Sequence, residues 1–326
     1  MNIRLLAVAV CGAVAALGAA RSSSAPASDP PPAWAFPVNP PAKSSPTGPQ
    51  NPNKLEHVTG SPVTYTDRQL YDEFFTADWF PAEHPPMPRI VARGRKPAWP
   101  CAMCHMVSGN GGPAEAALPG LPASYIIEQV GEFRSGRRAA AQPAMLSAHD
   151  MIMEAKAVSD ADLAAAAQYF SQLRFISHFH VVESDTAPKT RLGGVSLYTK
   201  IAGASSEPLG ARIVEVPDDA WQWELGNPHA DFTAYVPKGS IARGEKLVAS
   251  GDGAAPCRTC HGPDLRGVGN IPPLAGRSPS YLARQLYDIR HGTRRGPVVA
   301  LMLPEVAHMT PADRIAIVAY LASLRP

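Results

Sequence analysis

The sequence contains few cysteines, no dense block of one charge and no long apolar run after its first residues. It has five cysteines among 326 residues and a formal net charge of only +2. No segment beyond the amino terminus approaches the roughly twenty apolar residues that a membrane-spanning helix needs. A nucleic-acid-binding surface would need a denser basic stripe than these dispersed lysines and arginines provide. The composition therefore excludes a membrane-spanning body and a nucleic-acid partner.

The first twenty residues have the pattern of a secretory signal peptide. Arg4 supplies a short basic region, residues 5–17 are mostly apolar, and Gly18-Ala19-Ala20 are small residues suited to cleavage. An uncleaved anchor is the less favoured interpretation, because the apolar stretch is short for a membrane span. We therefore predict export to the periplasm, with a signal peptide over residues 1–20 and a Pro-rich extended segment over residues 21–60.

Two five-residue stretches carry the chemistry: Cys101-Ala102-Met103-Cys104-His105 and Cys257-Arg258-Thr259-Cys260-His261. Both read C-x-x-C-H, the attachment signature of a c-type haem. Two thiols three positions apart can each form a thioether to one haem, and the adjoining histidine reaches the iron. A single copy could also be a zinc half-site or a redox dithiol. Two copies in an exported chain favour two covalently bound haem c groups and leave no cysteine in the mature chain for a disulfide or for catalysis.

The chain repeats one design around these motifs. At an offset of 156 residues, Tyr125 matches Tyr281, Gln129 matches Gln285 and Gly136 matches Gly292. The tyrosines predict matching helices, each ended by its glycine. The offset then falls to 151, so that Ser159 matches Thr310 as the N-cap of a closing helix. We therefore predict one haem domain over residues 61–176 and a second over residues 238–326.

The segments outside the repeat also carry predictions. The capped amphipathic pattern predicts a helix over residues 66–75. Trp34 and Phe36 are candidates to dock on the folded part of the chain. Residues 177–237 are too aromatic for a flexible tether, so we expect this connecting insert to pack across one or both domains, with a short hairpin. Gly244 would let the leading helix of the second domain cross close to the closing helix near Tyr320.

The opposite face of each iron needs a second ligand, and methionine is the first candidate. A thioether is soft and favours the reduced metal. The candidates are Met145, Met151 and Met153 in the first copy, and Met302 and Met309 in the second. Only Met151 and Met302 are equivalent, because each lies eight residues before its N-cap residue. We predict these two as ligands, against the alternative that a methionine merely fills the core.

Histidine and arginine residues near the haems are open to other interpretations. His149 or His308 would give bis-histidine ligation and a lower potential, but they are not at equivalent positions and we expect them to be solvated. The pairs Arg137-Arg138 and Arg294-Arg295 are interpreted as solvated helix ends, with a haem-propionate contact as the weaker alternative.

On these motifs the chain resembles the two-domain dihaem cytochromes c of the c-four type, built from two class I cytochrome c folds. The resemblance includes Leu-Pro-Gly-Leu-Pro-Ala-Ser-Tyr at 118–125 and Leu-Ala-Gly-Arg-Ser-Pro-Ser-Tyr at 274–281. It implies an all-α fold, ligation by His105 with Met151 and by His261 with Met302, and a periplasmic electron carrier. The sequence departs from the family at Met106, where a glycine is usual, and adds an irregular connecting insert with short β elements and the Pro-rich extension.

Electron transfer is the leading functional hypothesis, since two ligands on each iron leave no position for a substrate. Electrons would enter from a dehydrogenase or a quinol-oxidising complex and leave to a terminal oxidase or reductase. The alternative is a haem subunit of a multi-subunit dehydrogenase or respiratory complex. A dihaem enzyme, such as a peroxidase or a thiosulfate dehydrogenase, is less favoured because those chemistries need an open iron or a strongly donating ligand, and the chain has no spare cysteine. A resting-state spectrum would separate the carrier from the enzyme.

Overall fold

The computed structural model describes residues 29–40, 49, 51–193, 196–251 and 253–326, and residues 31–326 form one unit. The predicted signal peptide and most of the Pro-rich stretches at 21–28 and 41–50 lie outside the described residues. Within that part of the chain, no helix is long and apolar enough to cross a bilayer.

The elements follow the chain in four groups. Ahead of the first motif lie β1 (Leu55–Glu56), β2 (Tyr65–Thr66), α1 (Asp67–Leu70) and α2 (Arg89–Ala92). The first copy contains α3 (Cys101–His105), α4 (Ala123–Arg134), α5 (Leu146–Ala157) and α6 (Asp160–Gln172). The insert contains β3 (Phe179–Glu183), β4 (Thr186–Pro188), β5 (Thr190–Gly193), β6 (Leu197–Lys200), β7 (Ser206–Pro208), β8 (Val214–Pro217), α7 (Ala220–Glu224) and β9 (Phe232–Val236). The second copy contains α8 (Ser240–Ser250), α9 (Cys257–His261), α10 (Pro279–Arg290), a 3-10 helix (Val299–Met302), α11 (Leu303–Ala307) and α12 (Pro311–Ser323).

The predicted caps of the repeat are in place. The Ser159 side chain accepts from the backbone N–H of Asp162 at the start of α6, and Thr310 does the same with Asp313 at the start of α12. Gly136 and Gly292 follow α4 and α10 with φ of 71° and 72°, a left-handed conformation that favours glycine. Local sequence therefore fixes where these four helices begin or end.

The helix predicted over residues 66–75 is much shorter than the pattern indicated. Thr66 caps α1 and forms a capping box with Gln69, but the helix ends at Leu70. The side chain of Asp72 accepts a hydrogen bond from the backbone N–H of Phe74, which stabilises a turn in place of another helical turn.

Gly244 brings the first and last helices of the second domain together, as predicted. A Cβ atom at this position would lie 2.6 Å from the carbonyl carbon of Ala316 and 2.8 Å from the Cβ of Tyr320. The backbone of α8 therefore packs directly on α12. Val248 of α8 and Val318 and Ala319 of α12 are 0% exposed.

The connecting insert folds onto the helical body and contains more strand than one hairpin. Strand β9 lies between β3 and β8, parallel to the first and antiparallel to the second, while β5 and β6 form a two-stranded antiparallel ribbon. Residues Ala234 and Val236 of the central strand are fully buried. The preceding Pro-rich segment also docks, since Phe36 is 2% exposed and its ring meets Tyr287 edge-on at 5.3 Å.

Candidate functional site

A backbone carbonyl holds each motif histidine by the same ring nitrogen, Nδ1. The Nδ1 of His105 lies 2.9 Å from the carbonyl oxygen of Ala116, and that of His261 lies 2.8 Å from the carbonyl oxygen of Pro272. A carbonyl can only accept, so Nδ1 carries the proton in each ring and Nε2 remains available to a metal. Burial lowers the pKa of both imidazoles, which favours the neutral form that binds metals.

The two cysteine pairs lie on short helices that present them beside the histidines. Cys101 and Cys104 lie on α3, and Cys257 and Cys260 lie on α9. None of these four cysteines is in a disulfide, so each sulfur is available to form a thioether. Each helix begins after a proline, which cannot donate a hydrogen bond and so suits the first turn of a helix.

The residue after each motif has an unusual backbone. Gly262 has φ 85° and ψ 159°, and Met106 has φ 62° and ψ 163°. This region is essentially confined to glycine and costs other residues about 1–3 kcal/mol. Both motifs therefore impose the same sharp exit from the helix, and the first copy adopts it with a methionine that is 8% exposed.

A cavity of about 1010 Å³ lies beside the first motif. This volume is at the upper end of the range for pockets that take small molecules, so it suits a large cofactor. Cys101, Cys104 and His105 border it on one side and Met151 also borders it. The residues present therefore fit a covalently bound haem with an axial histidine.

The structure separates the three methionine candidates of the first copy. Met151 on α5 borders the cavity and packs against Val130 and Leu163. Met145, at the N-cap of α5, also borders it and is 1% exposed. Met153 is 42% exposed. Of the three candidate ligands, Met151 and Met145 therefore border the first cavity and Met153 does not.

In the second copy, Met302 is the last residue of the 3-10 helix and packs with Ile289, Val299 and Val306. Met309 is a partly buried neighbour of the same cluster. Met302 thus lies in an apolar setting between α10 and α11.

The histidines proposed as competing ligands lie elsewhere. The His149 side chain is 59% exposed and its Nδ1 lies 3.3 Å from a carboxylate oxygen of Asp150. His308 is also exposed.

Part of the cavity wall comes from residues that sequence reasoning did not identify. The insert contributes Leu192 and Leu197 from the β5–β6 ribbon and Trp223 from α7. A Cβ atom on Gly112 would lie 2.5 Å from the Trp223 ring, so this contact requires a glycine. The aromatic composition of the insert was the available signal, but it did not indicate which surface the insert covers.

The second domain also contributes to the first cavity, through Tyr281, Arg284 and Gln285 of α10. Arg284 is 4% exposed and donates to the carbonyl oxygens of Ala35, Pro113 and Ala114. The repeat offset of 156 residues identified Tyr281 and Gln285 as helix positions, but it did not indicate that they border the first cavity.

The interpretation of the arginine pairs as solvated helix ends is wrong for Arg138 and Arg294. They are 7% and 8% exposed and lie between the two domains, because each side chain bonds to residues of both copies. The interpretation holds for Arg137 and Arg295, which are exposed.

The profile of the cytochrome c family matches residues 91–174 and 241–325, together more than half of the chain. The thiosulfate dehydrogenase electron acceptor of Thiomonas intermedia is 28% identical over 230 residues, which cover 68% of this chain and 77% of that protein. Cytochrome c4 of Pseudomonas aeruginosa is 23% identical over 241 residues, covering 72% and 88%. The crystal structure of reduced recombinant cytochrome c4 from Pseudomonas stutzeri has a TM-score of 0.43 at 21% identity, covering 69% of this chain and 93% of that one.

The two profile matches each contain one C-x-x-C-H motif and the closing helix that follows it. They confirm the predicted architecture of two tandem cytochrome c domains, while the predicted boundaries at 61–176 and 238–326 stay predictions. Members of this family carry electrons through covalently bound haem c, and the relatives above are named for that role. This protein belongs to the cytochrome c family, as an electron carrier with two such domains in one chain.

Proposed function

We propose that this protein is a periplasmic dihaem carrier, with one covalently bound haem in each domain. The observation that carries the proposal is the matched pair of histidines. His105 and His261 each follow a C-x-x-C pair, and the Nδ1 of each donates to a carbonyl eleven residues further along the chain. Haem c, when bound, takes up and releases one electron at its iron. The four cysteines would attach the two groups, and the carbonyls fix the histidine tautomer and orientation.

We further propose Met151 and Met302 as the second axial ligands. They occupy equivalent repeat positions, and Met151 borders the same cavity as His105. With a histidine and a methionine as its two protein ligands, each haem iron would have no open position for a substrate. The chain's residues then exclude water and substrates and raise the reduction potential, because a neutral thioether favours the reduced metal.

The proposed electron donor is a dehydrogenase that oxidises a sulfur compound such as thiosulfate. Support comes from the relative in Thiomonas intermedia, whose name describes an electron acceptor of thiosulfate dehydrogenase. The predicted signal peptide supports the periplasm as the place of exchange, and a terminal oxidase or reductase is the proposed acceptor.

A redox titration of the holoprotein, followed by optical and magnetic spectra, tests the ligands. We expect two one-electron transitions and two low-spin haems with histidine and methionine ligands. A high-spin haem at rest, or a bis-histidine or thiolate signature, would exclude the proposed ligand set for that domain. Stopped-flow mixing with a reduced thiosulfate dehydrogenase tests the donor, and a reduction no faster than with an unrelated reduced dehydrogenase would exclude it.

A further inference from the structure

Each motif histidine is held by a loop that follows its motif, and the two loops are equivalent in the repeat. His105 donates from Nδ1 to the carbonyl of Ala116, and His261 donates to the carbonyl of Pro272. The histidines are 156 residues apart, and so are the two residues whose carbonyls accept. A side chain that restrains both loops therefore restrains both proposed axial histidines.

Arg277 of the second domain bonds to both loops. Its Nε donates to the carbonyl of Pro273 at 2.9 Å, and its Nη1 donates to the carbonyl of Ala117. These two carbonyls are the next ones along the chain after those that hold the histidines, and they are also 156 residues apart. The Nη2 donates to the carbonyl of Pro119 at 3.0 Å, which adds a second bond to the first domain. One guanidinium thus joins equivalent points of the two repeats.

The surroundings of Arg277 fix its guanidinium in place and keep it charged. The residue is 3% exposed, and its guanidinium carbon lies 4.6 Å from the centre of the Phe175 ring. All three side-chain nitrogens donate to neutral backbone carbonyls. Burial lowers the pKa of Arg277 to about 10, which leaves the side chain protonated at neutral pH. A positive charge is therefore held rigidly between the two loops.

The first copy has no counterpart of this arginine. The equivalent position, 156 residues earlier, is Leu121, which is 7% exposed and whose side chain has no hydrogen-bond donor. The link between the two loops is therefore made from the second domain alone, and it forms only where the two domains pack together.

The bonded route from each histidine to Arg277 is short. It consists of the hydrogen bond of the ring, the backbone between two consecutive carbonyls, and the hydrogen bond of the guanidinium. Consecutive residues advance the chain by less than about 4 Å and a hydrogen bond spans about 3 Å, so about 15 Å is an upper limit from the guanidinium to the Nε2 of either ring. The charge therefore acts on both sites from close range.

We propose that Arg277 is a positioning residue for both axial histidines, and that it acts on the two haems together through the carbonyls of Ala117 and Pro273. This inference rests on the proposed function, since it needs a haem in each domain. The bonds of Arg277 keep each loop in register, so that each Nδ1 proton stays on its carbonyl and each Nε2 stays free. The positive charge favours the reduced state at both sites, and its loss lowers both potentials.

The first test is a spectroelectrochemical titration of the Arg277→Gln holoprotein, with Arg266→Gln as the matched control. Arg266 lies between His261 and Pro272 in the same loop but is exposed, so water and salt screen its charge. A unit charge about 15 Å away, at an effective dielectric of about 20, changes an equilibrium roughly sixfold. We therefore expect the reduced-to-oxidised ratio of both haems to fall about sixfold, which is about 46 mV for a one-electron couple.

The second test measures the positioning directly, by the exchange of the two histidine Nδ1 protons with deuterium in proton NMR spectra of the reduced holoprotein. Both protons should exchange faster in Arg277→Gln than in the wild type, because both loops lose an anchor. Arg277→Lys separates charge from position. It should restore most of both potentials, whereas the exchange should stay fast, because one ammonium group cannot replace the three directed donors of the guanidinium fork.

The proposal is disproved if Arg277→Gln moves either potential no further than Arg266→Gln does. A purely structural role would lower the melting temperature and leave both potentials and both exchange rates unchanged, and it would also disprove the proposal. If Arg277→Gln does not fold, Arg277→Lys carries the test, and unchanged exchange of the Nδ1 protons in that variant would overturn the positioning role. Failure of the proposed function is distinguishable, because it would be seen in the spectra of the wild-type haems.

Discussion

The crossing of α8 and α12 gives the sharpest stability prediction, through the substitution Gly244→Ala. The new Cβ would lie 2.6 Å from the carbonyl carbon of Ala316 and 2.8 Å from the Cβ of Tyr320. Carbon atoms pack at about 3.5–4.0 Å, so the two helices must separate by about 1 Å. The obstructing atoms are backbone and Cβ atoms, which cannot rotate away.

The magnitude follows from two opposing effects. Replacing a helical glycine by alanine gains about 0.5–1 kcal/mol, whereas overpacking a core costs about 1–3 kcal/mol. Because the contact is rigid, we place the cost at the upper end, about 3 kcal/mol, and expect Gly244→Ala to lower the free energy of unfolding by about 2–2.5 kcal/mol. Urea unfolding of the holoprotein, followed by circular dichroism, measures this value.

Gly131 in α4 provides the matched control. It is also a helical glycine, but a Cβ there would meet no atom within 4 Å. Gly131→Ala should therefore raise the free energy of unfolding by up to about 1 kcal/mol. If Gly244→Ala proves as stable as Gly131→Ala, the two helices do not cross at backbone contact and the packing described for the second domain is incorrect.

Three further outcomes test the haem sites. Met302→Ala should leave the second haem attached, lower its potential and remove its thioether spectrum; an unchanged potential would exclude Met302 as the ligand. Met151→Ala should do the same to the first haem, whereas Met145→Ala should keep a six-coordinate spectrum and cost about 2–5 kcal/mol of stability as a core cavity; the reverse pattern would assign Met145 as the ligand. Gly262→Ala should lower the free energy of unfolding by about 1–3 kcal/mol, because its φ of 85° is strained for alanine and a Cβ there would lie 3.1 Å from the Val268 side chain. A urea titration measures this change, and a variant as stable as the wild type would contradict the exit geometry described for the second motif.

Sequence reasoning succeeded where neighbouring residues decide the structure. The caps at Ser159 and Thr310 and the glycines after α4 and α10 were predicted from short patterns, since a cap depends on two or three adjacent residues. The helix after Thr66 was too long in the prediction, because the turn at Asp72 competes with the helix.

The remaining discrepancies concern residues whose partners lie far away in the chain. Arg138 and Arg294 resemble ordinary basic helix ends in the sequence, and only the docking of the two copies buries them. The insert was expected to pack on the domains, yet its role as a wall of the first cavity depends on Trp223 meeting Gly112, more than a hundred residues earlier.

The sequence by itself indicated the chemistry, because the cysteines and the histidine proposed to hold each haem lie within five consecutive residues, and the repeat of the whole pattern predicted the two domains that the family profile confirms. Only the tertiary structure decided which methionines border the first cavity, what encloses that cavity, and where two buried guanidinium charges meet. These features depend on the packing of elements that are distant in the chain. Their free energies arise from contacts that no local pattern records.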